Sequence, residues 1–309
     1  MRYLCRKGFN MSLFREITSG LAFPEGPIAM SDGSVILVEM FGPHLTKVHP
    51  DGQIERLVTI PGGPNGAAIG PDGRIYICNN GAAFDGVWRD GNWDLWYSAP
   101  ARYCGGSIQA FDLATRELQT IYTACDDVPL SAPNDLVFDQ HGGFYFSDLG
   151  YINGESPAVT AVYYAHADGS SIRQVSLADS PNGVGLAPDG KTLYWNETPR
   201  GRIMRAPLAA PGVLAAPVQL HYQFADGNAL DSLAIDGDGN ICAAVLGGGA
   251  IGVVSPAGAL LDFYHTGNSG TTNICFGGAD LRTAYVTLGG SGVLVTMHWP
   301  RPGVPLAYG

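Results

Sequence analysis

One pattern recurs six times along the chain and constrains the fold more than any other feature. It consists of a cluster of small residues, an Asn or an acid, a short apolar strand, a Gly-rich turn and a second apolar strand. The copies are FPEGPIAMSDGSVILVEM (23–40), GPNGAAIGPDGRIYICNN (63–80), APNDLVFDQHGGFYFSDL (132–149), SPNGVGLAPDGKTLYWNE (180–197), ALDSLAIDGDGNICAAVL (229–246) and TTNICFGGADLRTAYVTL (271–288). Further strand-turn-strand units, such as TKVHPDGQIERLV and YYAHADGSSIRQV, lie between them. The D-G, N-G and G-G pairs supply hairpin turns, and the flanking Val, Ile, Tyr and Phe favour strands. With 43 glycines and 21 prolines, the chain has no amphipathic helix longer than a turn or two.

Two hairpins in each repeat of roughly 40 to 50 residues describe a four-stranded propeller blade. The third residues of the small clusters are Glu25, Asn65, Asn134, Asn182, Asp231 and Asn273, separated by 40, 69, 48, 49 and 42 positions. The long spacing marks an insertion at about 81–106, rich in Trp and Tyr. The expectation is an all-β chain: a tail over 1–12, then a single six-bladed β-propeller over 13–309. LFREIT near the start is expected to complete the last blade.

The composition, 46% hydrophobic and 15% charged, suits a packed core. A net charge of −11 leaves little to neutralise phosphates, so nucleic acid and anionic membranes are not expected partners. No apolar run approaches the roughly 18 residues of a membrane helix. The N-terminus lacks a signal-peptide core, and Met11 offers an alternative start. The six cysteines contain no C-x-x-C and read as reduced thiols, which points to the cytoplasm.

The first strand of each propeller blade lines the central channel, so equivalent residues form a ring at one end. Here that ring carries two acids, Glu25 and Asp231, among amide side chains, with no Lys or Arg. Two carboxylates converging on a narrow channel repel each other unless a cation lies between them. Hard oxygen donors of this kind match a divalent ion, first of all Ca2+, with Zn2+, Mn2+ or Mg2+ as alternatives. Recurrent Asn also satisfies turn backbone, which is the plainer reading of Asn65 and Asn273.

These stretches, in order and at blade spacing, resemble the gluconolactonase/senescence-marker-protein (regucalcin) family, whose relatives include the diisopropyl fluorophosphatases. FPEGP with Glu25, SAPNDLVFD with Asn134, SPNGVGLAPDG with Asn182 and ALDSLAID with Asp231 carry the resemblance. It implies that Glu25, Asn182 and Asp231 bind the metal, and that Asn134 is a fourth ligand or a substrate contact. Animal aldonolactonases of the family carry Arg two residues before that Asn. Here the position is Ala132, as in bacterial members.

An open position on such a metal would polarise a lactone carbonyl toward water, with Asp231 as general base or as ligand only. The expected activity is metal-dependent opening of a sugar lactone or other cyclic ester. The ring residues Asn65 and Asn273, Asn80 at the end of a strand and Trp88 in the insertion are candidate substrate contacts. Asp148 and Glu197, closing the second strands of their repeats, are weaker candidates. The insertion reads equally as a lid or as a loop packing its own aromatics.

Hydrolysis of organophosphates on the same metal, or a non-catalytic calcium- or ligand-binding propeller, are the alternatives. A metal-free synthase propeller relying on a catalytic Glu fits less well, because acids stand at both ring positions. GGGAIG (247–252) runs into a turn, so it opens no dinucleotide site. The seven histidines include no H-x-H or H-E-x-x-H, and the D-G-D-G-N run at Asp236–Asn240 reads as a hairpin turn.

Overall fold

Each repeat forms one antiparallel sheet, and six sheets close into a propeller. The structure, a computed structural model, describes residues 13–152, 158–225 and 228–309; the tail over 1–12 lies outside them. Blade 1 runs from Pro24–Ala29 through Val35–Glu39 and His44–Val48 to Ile54–Thr59. The innermost strands of blades 2 to 6 are Pro64–Ile69, Pro133–Phe138, Pro181–Leu186, Ala229–Ile235 and Thr271–Gly277. Among the described residues the only helical element is a short 3-10 turn, Thr198–Arg200. No described helix is long and apolar enough to cross a membrane.

Closure follows the sequence expectation. Arg15–Ser19 pairs with Val293–His298, placing Arg15 opposite Thr296 and Ser19 opposite Val293, so the first described strand completes the last blade. This joins the two ends of the ring by backbone hydrogen bonds, with Arg15–Ser19 as the outer strand of the last blade.

The core is divided among the blade–blade contacts. Six apolar clusters each span one pair of neighbouring blades. Blades 2 and 3 meet through Tyr76, Phe138, Phe144 and Phe146, with the Tyr76 hydroxyl donating to the Ala167 carbonyl at 2.8 Å. Truncating a fully buried ring such as Phe144 to Ala would cost about 3–5 kcal/mol.

One irregularity is common to all six blades. The register between innermost and second strand breaks across the ring position: between Glu25 and Ile28, Pro64 and Ala67, Pro133 and Leu136, Pro181 and Val184, Leu230 and Leu233, and Thr271 and Asn273. An extra residue on one strand re-aims a side chain and leaves backbone unpaired, which is how a strand turns one group toward an axis. The residue after the ring is glycine where a neighbouring backbone comes closest. A Cβ on Gly66 would stand 2.5 Å from the Asn134 carbonyl oxygen, and one on Gly183 would stand 2.5 Å from the Leu233 nitrogen.

Candidate active site at one end of the channel

All six ring residues are buried, from 2% exposed at Glu25 to 7% at Asp231. Their amides and acids are paired in a pattern. Asn273 donates its side-chain amide to Glu25 at 3.2 Å, and Asn182 hydrogen-bonds Asp231. In both cases an Asn from one blade serves the acid of the next. The Asn182 carbonyl oxygen in turn accepts from the Ser232 hydroxyl at 3.5 Å.

Asn65 and Asn134 differ from these. Their side-chain oxygens are buried and have no hydrogen-bond partner. The Asn65 amide nitrogen faces only the Met40 sulfur, at 3.9 Å, a weak acceptor. Buried unpaired carbonyl oxygens are costly and call for a partner.

The carboxylates show the same deficit of positive charge. Burial holds Glu25 well above the usual carboxylate range, and the charges of Asp231 and Asp135 push it further. Asn273 and the Gly26 N–H, which donates to Glu25 at 3.1 Å, work against them. Asp231 is also raised, by burial first and then by Asp135, with Asn182 opposing. No Lys or Arg is among the groups acting on either acid.

Asp135 is the residue that sequence reasoning missed. Burial pushes it up to about 7, against hydrogen bonds from the Leu136 N–H and the Ser232 hydroxyl. Its signal is present in the repeat: where other copies carry Gly26, Gly66 and Gly183 after the ring residue, this one carries an acid.

Three buried acids and two orphaned amide oxygens therefore converge where no cationic side chain reaches. That donor set fits a hard divalent cation. Among the described residues, no three His, Cys, Asp or Glu side chains are grouped to hold a metal by themselves. A cation here would rest on amide oxygens as well as on carboxylates.

Asp148 and Glu197 are neither solvated nor aimed into the channel. Together with Glu39 and Asn79 they end the second strands of blades 1 to 4, and each accepts backbone N–H groups from the loop leading into the ring. Glu39 takes Ala22 (2.8 Å), Asn79 takes Gly63 (2.9 Å), Asp148 takes Ser131 (2.7 Å) and Ala132 (2.6 Å), and Glu197 takes Asp179 (3.0 Å). Arg56 and Arg202 balance Glu39 and Glu197. These side chains set the position of the ring-bearing segments.

Asn80 also serves the local backbone: its oxygen accepts the Ala83 N–H at 3.1 Å, and its amide nitrogen faces Met40 at 3.5 Å. It stands at the root of the insertion, which forms a hairpin, Phe84–Arg89 with Asn92–Tyr97. The hairpin leaves blade 2 on the ring side of the propeller and reaches three other blades. The Trp93 N–H donates to the Gly290 carbonyl of blade 6 at 2.7 Å, and its ring packs on Phe41 of blade 1 at 5.0 Å. Tyr97 meets Tyr151 of blade 3 edge-on, and the Tyr151 hydroxyl donates to the Ser98 carbonyl at 2.6 Å. The aromatics that fix the hairpin thus hold it on the ring side of the propeller, against blades 1, 3 and 6. Trp88 packs on Trp93 and is 48% exposed.

The comparisons with known proteins agree with this fold. Residues 23–290 match the family described as the SMP-30/gluconolactonase/LRE-like region. A lactonase, drp35, of Staphylococcus saprophyticus is 32% identical over 242 residues, covering 76% of this chain and 67% of its own. Its Staphylococcus aureus counterpart is 31% identical over 236 residues, covering 73% and 64%. The chain thus spans about two thirds of the length of these relatives. In fold it is similar to a calcium-binding regucalcin from Agrobacterium tumefaciens, with TM-score 0.75 and 20% identity over 94% of this chain and 95% of the other. It is equally similar to a gluconolactonase from Xanthomonas campestris, with TM-score 0.75 and 21% identity over 93% and 89%. With six blades closed by the first strand and a family match that runs from the first ring acid to beyond the last ring amide, the chain belongs to the SMP-30/gluconolactonase/LRE-like family.

Proposed function

We propose that the protein is a divalent-metal-dependent lactonase whose reaction takes place at the ring beneath the hairpin. The observation that carries this reading is the convergence of Glu25, Asp231 and Asp135 with the unpartnered oxygens of Asn65 and Asn134. Family membership and the lactonase relatives support lactone opening as the chemistry.

Glu25, Asn182 and Asp231, with Asn134, would hold the ion, Ca2+ by the hardness of the donors. When bound, it supplies polarisation of the lactone carbonyl and charge compensation for the oxyanion. Asp231 takes the proton of the attacking water as general base. The proton is then delivered to the ring oxygen as the acyl C–O bond breaks, giving a hydroxy acid. Asn65 orients the substrate beside the ring, Asn273 holds Glu25 in place, and the hairpin excludes bulk water. The buried free thiols of Cys78, Cys125 and Cys242 fit a reducing compartment, the cytoplasm.

The test is acid release from a panel of aldonolactones, simple γ- and δ-lactones and an aromatic lactone. The protein is first stripped with chelator and then supplied with single metals. Metal-restored acid release establishes the reading; silence across the panel with metal bound overturns it.

A further inference from the structure

The ring divides the channel into two compartments of opposite character. Above it lies the hairpin. Below it, toward the other face, a cavity of about 460 Å³ continues along the axis. Each innermost strand contributes an apolar side chain to its wall: Ile28, Ile69, Val137, Leu186, Ala234 and Phe276. Ile28 is buried, but the other five remain partly exposed even though they lie at the centre of the molecule. Each packs against a blade–blade cluster on one side and keeps the rest of its surface toward the cavity.

The far end is crossed by the C-terminal segment. Arg301 is ion-paired to Asp236 at 2.6 Å, and the Val304 N–H donates to the Ile235 carbonyl at 3.2 Å. The segment then runs over the opening to blade 3, where Tyr308 meets Phe138 edge-on. Leu306, Ala307 and Tyr308 add apolar floor to the cavity.

We infer that this lower chamber, which meets the ring only at Asn273 and Asp135, is a second binding site for a compact uncharged molecule that is mainly hydrocarbon. Its volume falls in the range of ligand pockets, which run to roughly 300–1,000 Å³. The strand side chains and the C-terminal floor present apolar surface that a hydrocarbon occupant would cover. Charge is selected against at both signs. The lining acids are already engaged: Asp135 accepts from Leu136 and Ser232, Asp139 from the His141 and Gly143 N–H groups and the Tyr164 hydroxyl, and Asp189 from the Lys191 N–H, while the basic lining residues, His141 and Lys191, sit in the turns. A buried charge in the ligand would therefore lack a counter-ion. The inference goes beyond lactone opening and does not depend on it.

The experiment is a fluorescence titration of the whole protein with 1-aminoanthracene, an uncharged aromatic probe that brightens in dry apolar sites, with decanol as competitor. Saturable binding of one probe per chain is expected. Ala234→Phe and Val137→Phe, which place a ring in the empty space, should each weaken it by about tenfold or more. Asp231→Asn and chelation of metal should leave it within about twofold. In the wild-type protein, nuclear Overhauser contacts from the probe should fall on Phe276 and Tyr308, a readout that stands even if the filled variants do not fold. Absence of saturable binding, unchanged affinity in folded variants of both kinds, or contacts on Trp88 and Trp93 would overturn the assignment.

Discussion

Asn273 in the last blade and Glu25 in the first are hydrogen-bonded across 248 residues, amide nitrogen to carboxylate at 3.2 Å, at the seam where the propeller closes. The bond ties blade closure to the candidate metal site. The strand Arg15–Ser19 zips blade 6 from outside, while this contact joins the same two blades at the axis. Asn273 also accepts the Ile274 N–H at 2.8 Å, so its amide is held in the orientation that aims its donor at Glu25.

Asn273→Ala should therefore weaken Ca2+ binding roughly 10-fold, the usual scale for losing a group that orients a ligand. Glu25→Gln should weaken it further and abolish turnover while leaving a folded propeller. Calorimetric titration with Ca2+, alongside circular dichroism, checks both. Wild-type affinity in Asn273→Ala would show that the contact serves blade closure alone.

The pH behaviour of the metal-free protein tests the electrostatic picture. Burial raises Asp135 from an ordinary 3.8 to about 7 in the folded chain. Its contribution to stability is thus fully present below the unfolded value and is lost as pH rises through about 7. Asp135→Asn keeps an oxygen to accept from Leu136 and Ser232 but carries no charge. It should stabilise metal-free protein at pH 8 by on the order of 4 kcal/mol and have little effect near pH 4. Denaturant unfolding at the two pH values measures this; an equal effect at both would refute it.

The ring is legible in the sequence because one residue per repeat keeps the same place relative to a turn, and a propeller converts that place into a circle. The insertion is legible from one anomalous spacing. Asp135 is not, because an Asn-Asp pair looks like any turn until the neighbouring copies are seen to require glycine there. The caps are not legible either. Glu39, Asn79, Asp148 and Glu197 follow apolar strands and look like solvated strand ends, yet each bonds a loop 15 to 20 residues upstream in the chain. Alternation of apolar and polar residues does not encode such contacts. The lower chamber is hidden for a related reason: Ile69 and Val137 read as core side chains, and only the radius of the closed ring leaves part of their surface toward a cavity.

The capping role makes Asp148 a positioning residue. Its carboxylate accepts the backbone N–H groups of Ser131, Ala132 and Gly150, the first two leading directly into Asn134. Asp148→Ala would leave these donors unpaired and should cost about 2–4 kcal/mol. Asp148→Asn, which retains one acceptor oxygen, should cost less and recover part of the Ca2+ affinity. Thermal unfolding and Ca2+ titration of the pair distinguish positioning from bulk destabilisation. Equal Ca2+ affinity in the two variants would remove the link to Asn134.

The hairpin can be removed without opening a blade, because Ile75–Asn79 and Ser107–Phe111 pair with each other directly beneath it. Much of its surface already faces solvent: Val87, Trp88, Leu95, Trp96 and Tyr97 are 37–49% exposed. Replacing 84–97 with a short Gly-Ser link should therefore lower the unfolding temperature by only a few degrees. What it takes away is the cover fixed by Trp93 on Phe41 and Gly290 and by Tyr97 on Tyr151. KM for lactones with apolar or aromatic substituents should rise on the order of tenfold, about 1.4 kcal/mol of lost contact, with a smaller change for polar aldonolactones. Trp93→Ala, which breaks the blade 1 anchor alone, should move KM in the same direction and by less. Steady-state kinetics over the panel, with unfolding followed by calorimetry, reads both properties. Loss of cooperative unfolding would identify the hairpin as part of the core, and an unchanged KM for every lactone would separate it from the site.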